Sequence, residues 1–223
     1  MDGLLLIDKP TGLTSHKVVE IIRKKLQIKK VGHAGTLDPL ATGLLIIMLG
    51  KLTKLSNFLT SQFKTYQVEM ELFTETDSGD ITEKITKKEE KVNLEEEKVQ
   101  AVINSFHNYT YWQIPPIYSA IKIKGKKLYE YARQGKKITI PPRQVIIKKI
   151  QLLEYIVEKN IISLEVECSK GTYIRSLVGD IANKLETIAT VINLRRISSG
   201  DFHINQAVKL EEIDEERIIF WEK

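Results

Sequence analysis

The 223-residue sequence holds one cysteine, Cys168, and four histidines. A lone cysteine excludes an internal disulfide and a cysteine-based zinc site, and makes a reducing compartment the default expectation. Its place in the alternating stretch IISLEVEC marks it as core filler. His16, His33, His107 and His203 are scattered singly, so no cluster of ligands announces a metal. No apolar run approaches the roughly 20 residues that span a bilayer. The start, MDGLLLIDKP, carries acid where a secretory leader carries basic charge. A soluble, cytoplasmic protein without membrane contact is expected. Internal repeats, low-complexity linkers and any composition break that would mark a domain boundary are missing too.

What is present suits a globular body. Hydrophobic residues make up 42% of the chain, enough to bury a core. The net charge of +5 favours a polyanionic partner without demanding one. GLLLIDKP reads as a buried strand ended by Pro10, and TSHKVVEIIRKKL as a helix capped by Thr14 or Ser15. GLLIIMLG is a second buried strand and KLTKLSNFL a short helix. TYQVEMELF alternates as a half-buried strand does. Residues 74–90 read as a loop, and NLEEEKVQAVINSF as a helix with a reciprocal cap between Asn93 and Glu96. VIIKKIQLLEY and IISLEVEC form a hairpin turning at Lys159 and Asn160, followed by a helix over 173–185 and a strand near 191–197. The expected fold class is α+β, with a large mixed, mainly antiparallel sheet flanked by helices and loops.

Between Ile121 and Ile150 the cations Lys122, Lys124, Lys126, Lys127, Arg133, Lys136, Lys137, Arg143, Lys148 and Lys149 face one acid, Glu130, with tyrosines nearby. Cations neutralise phosphates and tyrosines offer faces for unstacked bases, so this is either an RNA-facing surface or a solvated one. The stretch VGHAGTLDPLATGLLIIMLG sets one carboxylate, Asp38, among glycines. It lacks the lysine and serine of a phosphate-binding loop, the further ligands of a zinc site and the partner acid of a glycosidase signature. Asp38 either opens a turn before Pro39 or acts alone, awaiting a cationic partner.

Read in order, GLLLIDKPTGLTS, GHAGTLDPLATGLL, KTYQVEMEL, TDSGD, IPPIYSAIKIKGKKLYEYARQG, CSKGTYIRSL and INLRRISSG closely resemble the TruB family of tRNA pseudouridine 55 synthases over residues 3–202. The resemblance implies a pseudouridine synthase fold, no cofactor, no metal, and action on the T-loop uridine of tRNA. It implies Asp38 as the catalytic carboxylate, Arg175 as its fixed cation, and Tyr66 as the ring that stacks on the target base and assists proton removal. Tyr173 and Leu194 match residues lining the uracil pocket, and His33 matches a histidine pushed into the T-loop. Lys9 and Pro10 are expected to brace the loop bearing Asp38, with Lys9 also counted among the substrate contacts. A carboxylate could attack C1′, add to C6 or take a ribose proton, and the residues do not choose among these routes.

Most bacterial members continue into a PUA domain, whereas this sequence ends about twenty residues past LRRISSGDF. The expectation is a catalytic domain over 1–210, including a basic RNA-binding insertion near 114–144, and a short tail over 211–223 without a PUA domain. Recognition would then rest on the T-arm stem-loop, by a monomer needing no protein partner. The alternative function is a tRNA folding factor that opens the T-arm without chemistry. Such a factor would need the basic surface and His33 but not Asp38, Tyr66 and Arg175 together.

Overall fold

The computed structural model describes residues 2–119, 121–123, 125–135 and 138–220. In chain order the elements are β1 (Gly3–Lys9), α1 (Ser15–Leu26), β2 (Val31–Ala34), β3 (Thr42–Leu49), α2 (Ser56–Ser61), β4 (Lys64–Leu72), β5 (Thr74–Thr76), β6 (Ile85–Lys88), α3 (Glu96–Asn104), β7 (Tyr109–Gln113), β8 (Lys122–Ile123), β9 (Lys126–Lys127), α4 (Leu128–Arg133), β10 (Arg143–Ile156), β11 (Ile161–Cys168), α5 (Ile174–Lys184), β12 (Ala189–Ser199), β13 (Phe202–His203) and β14 (Ile219–Phe220). They fall into two compact units, Met1–Gln67 with Asn193–Lys223, and Val68–Ile192. The chain leaves the first unit within β4 and returns within β12.

In the first unit the strand order is β14-β1-β3-β12. Every pairing is antiparallel except β3 with β12, where Thr42 and Gly43 lie opposite Arg195 and Arg196. β3 is paired along one edge by β1 and also by β2, whose His33 lies opposite Ile47. Leu44 to Leu49 are all buried, so both faces of the strand are covered, which is why TGLLIIML is a continuous hydrophobic run. Leu4, Leu6, Ala34, Leu44, Ile46, Met48, Leu52 and Leu59 form one core cluster on one side of it. Truncating one such leucine to alanine costs about 2–5 kcal/mol. α1 lays Val18, Val19 and Ile22 inward, is capped by the Thr14 hydroxyl, and carries Arg23, Lys24 and Lys25 in its last turn, where cations suit the helix dipole.

The second unit has the order β4-β11-β10-β7, antiparallel at β10–β11 and β10–β7, with α3 packed against β10 and α5. Ile162, Leu164, Val166 and Cys168 point inward from β11 at the spacing of two that a half-buried strand requires. Asn160 takes a left-handed conformation at the hairpin turn, as expected there.

Several elements differ from the sequence reading. The loop expected over 74–90 contains the hairpin β5–β6, whose second strand is exposed at all four residues and so has no burial pattern to betray it. α3 begins after Glu95 with no side-chain cap, so the reciprocal cap of Asn93 and Glu96 does not form. The helix expected over 51–59 is a 3₁₀ segment, Gly50–Leu55, followed by α2. The residues expected as a tail pair β14 with β1 and bury Ile213 and Ile218. Among the described residues, no helix is long and apolar enough to cross a membrane and no cluster of ligating side chains could hold a metal.

Candidate active site

Within the first unit, Asp38 sits half-buried in the connection between β2 and β3, and the segment after β1 fixes that connection from both sides. Pro10 stops β1, leaving a turn whose polar groups reach outward. The Leu37 amide donates to the Ser15 hydroxyl at 2.8 Å, and that hydroxyl lies 3.1 Å from the Leu37 carbonyl. The Gly12 amide donates to the Pro39 carbonyl at 2.8 Å, and the Thr11 hydroxyl to that of Leu40 at 3.1 Å. The Asp38 carbonyl accepts from the Ala41 amide. The chain on either side of Asp38 is therefore held at the backbone of its neighbours, by two side-chain hydroxyls and by main-chain amides.

Three buried cations surround this framework. Lys9 is 0% exposed and its ammonium donates to the carbonyls of Leu13 at 2.7 Å, Pro10 at 2.9 Å and Pro39 at 3.4 Å. These bonds join the turn after β1 to the loop that carries Asp38. Burial pushes its pKa down to about 8 against the pull of the Asp38 carboxylate, with Arg196 adding to the drop. Arg196, 1% exposed, donates from Nε to the Leu44 carbonyl at 2.6 Å and from a terminal nitrogen to that of Gly35 at 3.1 Å. A Cβ at Gly43 would stand 2.3 Å from the Arg196 carbonyl oxygen, so only glycine allows β3 and β12 to approach here. Lys64 donates to the carbonyls of Thr60 and Gln62.

His33 faces into this charged interior from β2. Burial, then Arg196 and His16, lowers its pKa, favouring the neutral ring. The Asp8 carboxylate receives both terminal nitrogens of Arg195, at 3.0 and 2.7 Å, tying β1 to β12 across β3. Tyr66 is buried in β4, and Leu194 is buried with its carbonyl 3.5 Å from the Thr42 hydroxyl.

The second unit holds Tyr173 and Arg175 where α5 begins. The Gln113 side chain accepts from the Tyr173 amide at 2.8 Å and donates to the Tyr173 carbonyl and the Tyr111 hydroxyl. Tyr111 in turn donates to Asp180 at 2.8 Å. Burial raises the pKa of both Tyr111 and Asp180. Arg175 donates to the carbonyls of Ser78 at 2.7 Å and Tyr118 at 2.9 Å, and lies 3.7 Å from the Asp80 carboxylate. Asp80 also accepts from the Thr82 amide and hydroxyl, and Tyr118 donates to Asp77 at 2.7 Å. A cation in the first turn of a helix opposes its dipole, and here these carbonyls and Asp80 compensate it.

Lys9, His33, Asp38, Tyr66 and Leu194 therefore belong to the first unit and Tyr173 and Arg175 to the second. Sequence reasoning missed Thr11, Ser15 and Arg196 as supports of the Asp38 loop, and Asp80 as a partner of Arg175. Arg196 had a signal: it is two residues from Leu194 on an alternating strand, on the inward face. Of the basic segment, Lys148 pairs with Glu167 at 2.7 Å and the Arg143 guanidinium stands 5.7 Å from the centre of the Tyr173 ring. Lys124, Lys136 and Lys137, and the side chains of Lys122, Lys127 and Arg133, lie outside the described residues.

Comparison with known proteins agrees with this arrangement of motifs. The profile of the TruB family pseudouridylate synthase N-terminal domain matches residues 23–174, and that of the tRNA pseudouridylate synthase B C-terminal domain matches 175–223. The tRNA pseudouridine synthase B of Mesoplasma florum is 46% identical over 97% of this chain and 75% of its own length. That of Caldicellulosiruptor saccharolyticus is 46% identical over 98% of this chain and 75% of its own. A chain in a Cbf5-Nop10-Gar1 complex superposes with a TM-score of 0.73 at 30% identity, covering 94% of this chain and 53% of that one. A chain of an H/ACA RNP bound to a substrate RNA gives 0.70 at 28%, covering 94% and 51%. This chain thus spans about half the length of those solved chains, and its fold is that of the pseudouridine synthases. With family profiles over most of its length and relatives at this identity, the chain belongs to the TruB family of pseudouridylate synthases.

Proposed function

We propose that this chain isomerises the T-loop uridine at position 55 of tRNA to pseudouridine, with Asp38 as the catalytic carboxylate. The observation that carries this reading is the loop geometry. Neighbours on both sides of Asp38 are fixed through their backbone, so the turn that carries this carboxylate is held in one shape by hydrogen bonds from Ser15, Thr11 and Gly12. Rigid positioning of a reacting group is a large part of what an enzyme supplies.

The reaction needs no redox partner and no outside energy. The C1′–N1 bond breaks, the uracil turns, C5 bonds to C1′, and the proton on C5 leaves while N1 gains one, so atoms and electrons balance as an isomerisation. Covalent help from a carboxylate divides the hard first step into easier ones. By family correspondence, Arg175 supplies the cation that keeps the catalytic carboxylate ionised, and Tyr66 the ring beside the base and the aid to proton removal. Tyr173 and Leu194 shape the uracil site, and His33 takes up space near the expelled nucleotide. The partner is the T-arm stem-loop, met by a monomer, with the basic insertion near 114–144 supplying phosphate contacts.

The test is to incubate the pure protein with unmodified tRNA and map pseudouridine at single-nucleotide resolution. Pseudouridine at position 55, lost in Asp38→Asn, is the expected result. Tight tRNA binding by the wild type with no pseudouridine formed would overturn the reading in favour of a folding factor.

A further inference from the structure

Outside the loop that carries Asp38, residues 21–54 contain no acid, yet they hold Arg23, Lys24, Lys25, Lys29, Lys30, Lys51 and Lys54. The cations of α1 have a local reason to be there, because they complement the helix C-terminus, and Lys25 donates to the carbonyls of Leu210 and Glu211. Lys29, Lys30, Lys51 and Lys54 have no such reason. All four are exposed. The Gly50 amide donates to the Lys30 carbonyl at 2.8 Å, which sets the Lys29–Lys30 segment beside the start of the 3₁₀ helix Gly50–Leu55. In a 3₁₀ helix side chains at i and i+3 eclipse, so Lys51 and Lys54 project together while Leu52 turns inward. Among the described residues, the carboxylate paired with this group is Asp2, 3.7 Å from the Lys51 ammonium, whose side chain is 86% exposed.

Gathering like charges on one face costs free energy unless a counter-charge arrives. Surface lysines of the second unit are arranged differently: Lys87 pairs with Glu89 and Lys98 with Glu186. The first-unit group also stands close to the Asp38 loop. Lys30 precedes β2 and Gly35 follows it, a separation of roughly 17 Å along five residue steps at about 3.3 Å each.

We infer that Lys29, Lys30, Lys51 and Lys54 form a phosphate-binding face for the tRNA, separate from the 114–144 insertion, which grips the backbone near the target loop. This rests on the proposed RNA substrate and adds a second surface to it. Phosphate contacts position an RNA without reading its sequence, and lysines suit that role as mobile point charges.

The test measures tRNA affinity across a salt series for the wild type, for the variant with all four lysines changed to Ala, for the same four changed to Arg, and for Lys87→Ala/Lys98→Ala. Each lost phosphate contact lowers the slope of log affinity against log salt by about 0.7–0.9, so the fourfold Ala variant should lose about 3 from the slope. Its affinity at low salt should fall at least tenfold. The Arg version should restore both quantities, and the Lys87/Lys98 variant should match the wild type. The single reversal Lys54→Glu should lower slope and affinity in the same direction, and it keeps the face testable should the fourfold change disturb folding. Unchanged slope and affinity in the Ala variant, or an equal loss in the Lys87/Lys98 variant, would overturn the inference and leave the patch to a partner other than RNA. Binding is read whether or not pseudouridine forms, so failure of the proposed activity and failure of this face give different results.

Discussion

The two units satisfy buried charge in opposite ways. In the first, Lys9 and Arg196 give their donors to backbone carbonyls. In the second, Arg175 combines two carbonyls with the nearby Asp80 carboxylate, and the buried carboxylate Asp180 is met by the Tyr111 hydroxyl. A carbonyl completes a cation's hydrogen bonds without cancelling its charge, so the field of Arg196 reaches both Lys9 and His33. A carboxylate neighbour cancels most of it locally. The first unit therefore keeps the field of Arg196 acting on its neighbours, beside a turn that carries Asp38. The second sets carboxylates and hydroxyls beside its buried charges.

The strongest way to sharpen this contrast is to remove the carboxylate itself. Asp38→Asn keeps the shape of the side chain, and loss of an essential reacting group costs on the order of 10⁴–10⁶ in rate. The hydrogen bonds at the neighbours' backbone remain in this variant, so thermal melting should still show a folded protein. Single-turnover pseudouridine formation alongside thermal melting checks both, and a rate within tenfold of the wild type would contradict the role of Asp38.

Stability provides the next contrast. Arg175→Met leaves Asp80 buried without its cation, a loss of about 3–5 kcal/mol for a pair broken from one side. Arg196→Met leaves two neutral carbonyls unmet, at about 1–3 kcal/mol. Denaturant unfolding should rank Arg175→Met below Arg196→Met, and the reverse order would break the comparison. Adding Asp80→Asn to Arg175→Met should recover part of the loss, which a double-mutant cycle would register.

The smallest effect is one of pH. Folded Lys9 titrates near 8, whereas the unfolded side chain does so near 10.5. Between these values the unfolded chain binds more protons, so stability rises with pH across this window; the gain is complete above the unfolded value and is lost as pH falls to about 8. Unfolding followed across that window should show this rise in the wild type and a flatter curve in Lys9→Met.

Much of the fold is legible in the sequence because burial leaves a period. The alternation from Tyr66 to Leu72, the enclosed run of β3 and the Thr14 cap all carry that imprint. β7 escapes such a reading for the converse reason: Tyr109 and Trp112 are exposed, so its apolar residues do not mark an inward face. Asp38 and Arg175 stand out through their motifs, whereas Thr11, Ser15 and Arg196 act on backbone carbonyls, which every residue possesses and no sequence pattern advertises. Asp80 is visible in TDSGD, but its proximity to Arg175 joins residues 95 positions apart.

The outer edge of β1 has a consequence for how the protein behaves in concentrated solution. That edge is occupied in two places, by Val208, which exchanges backbone hydrogen bonds with Leu6 and Asp8, and by Ile219 and Phe220 of β14. An apolar strand with open amides and carbonyls is a template on which a second chain can add. Val208, Ile219 and Phe220 therefore act as a guard strip, and a chain cut after Gln206 should keep its Asp38 loop yet self-associate through β1.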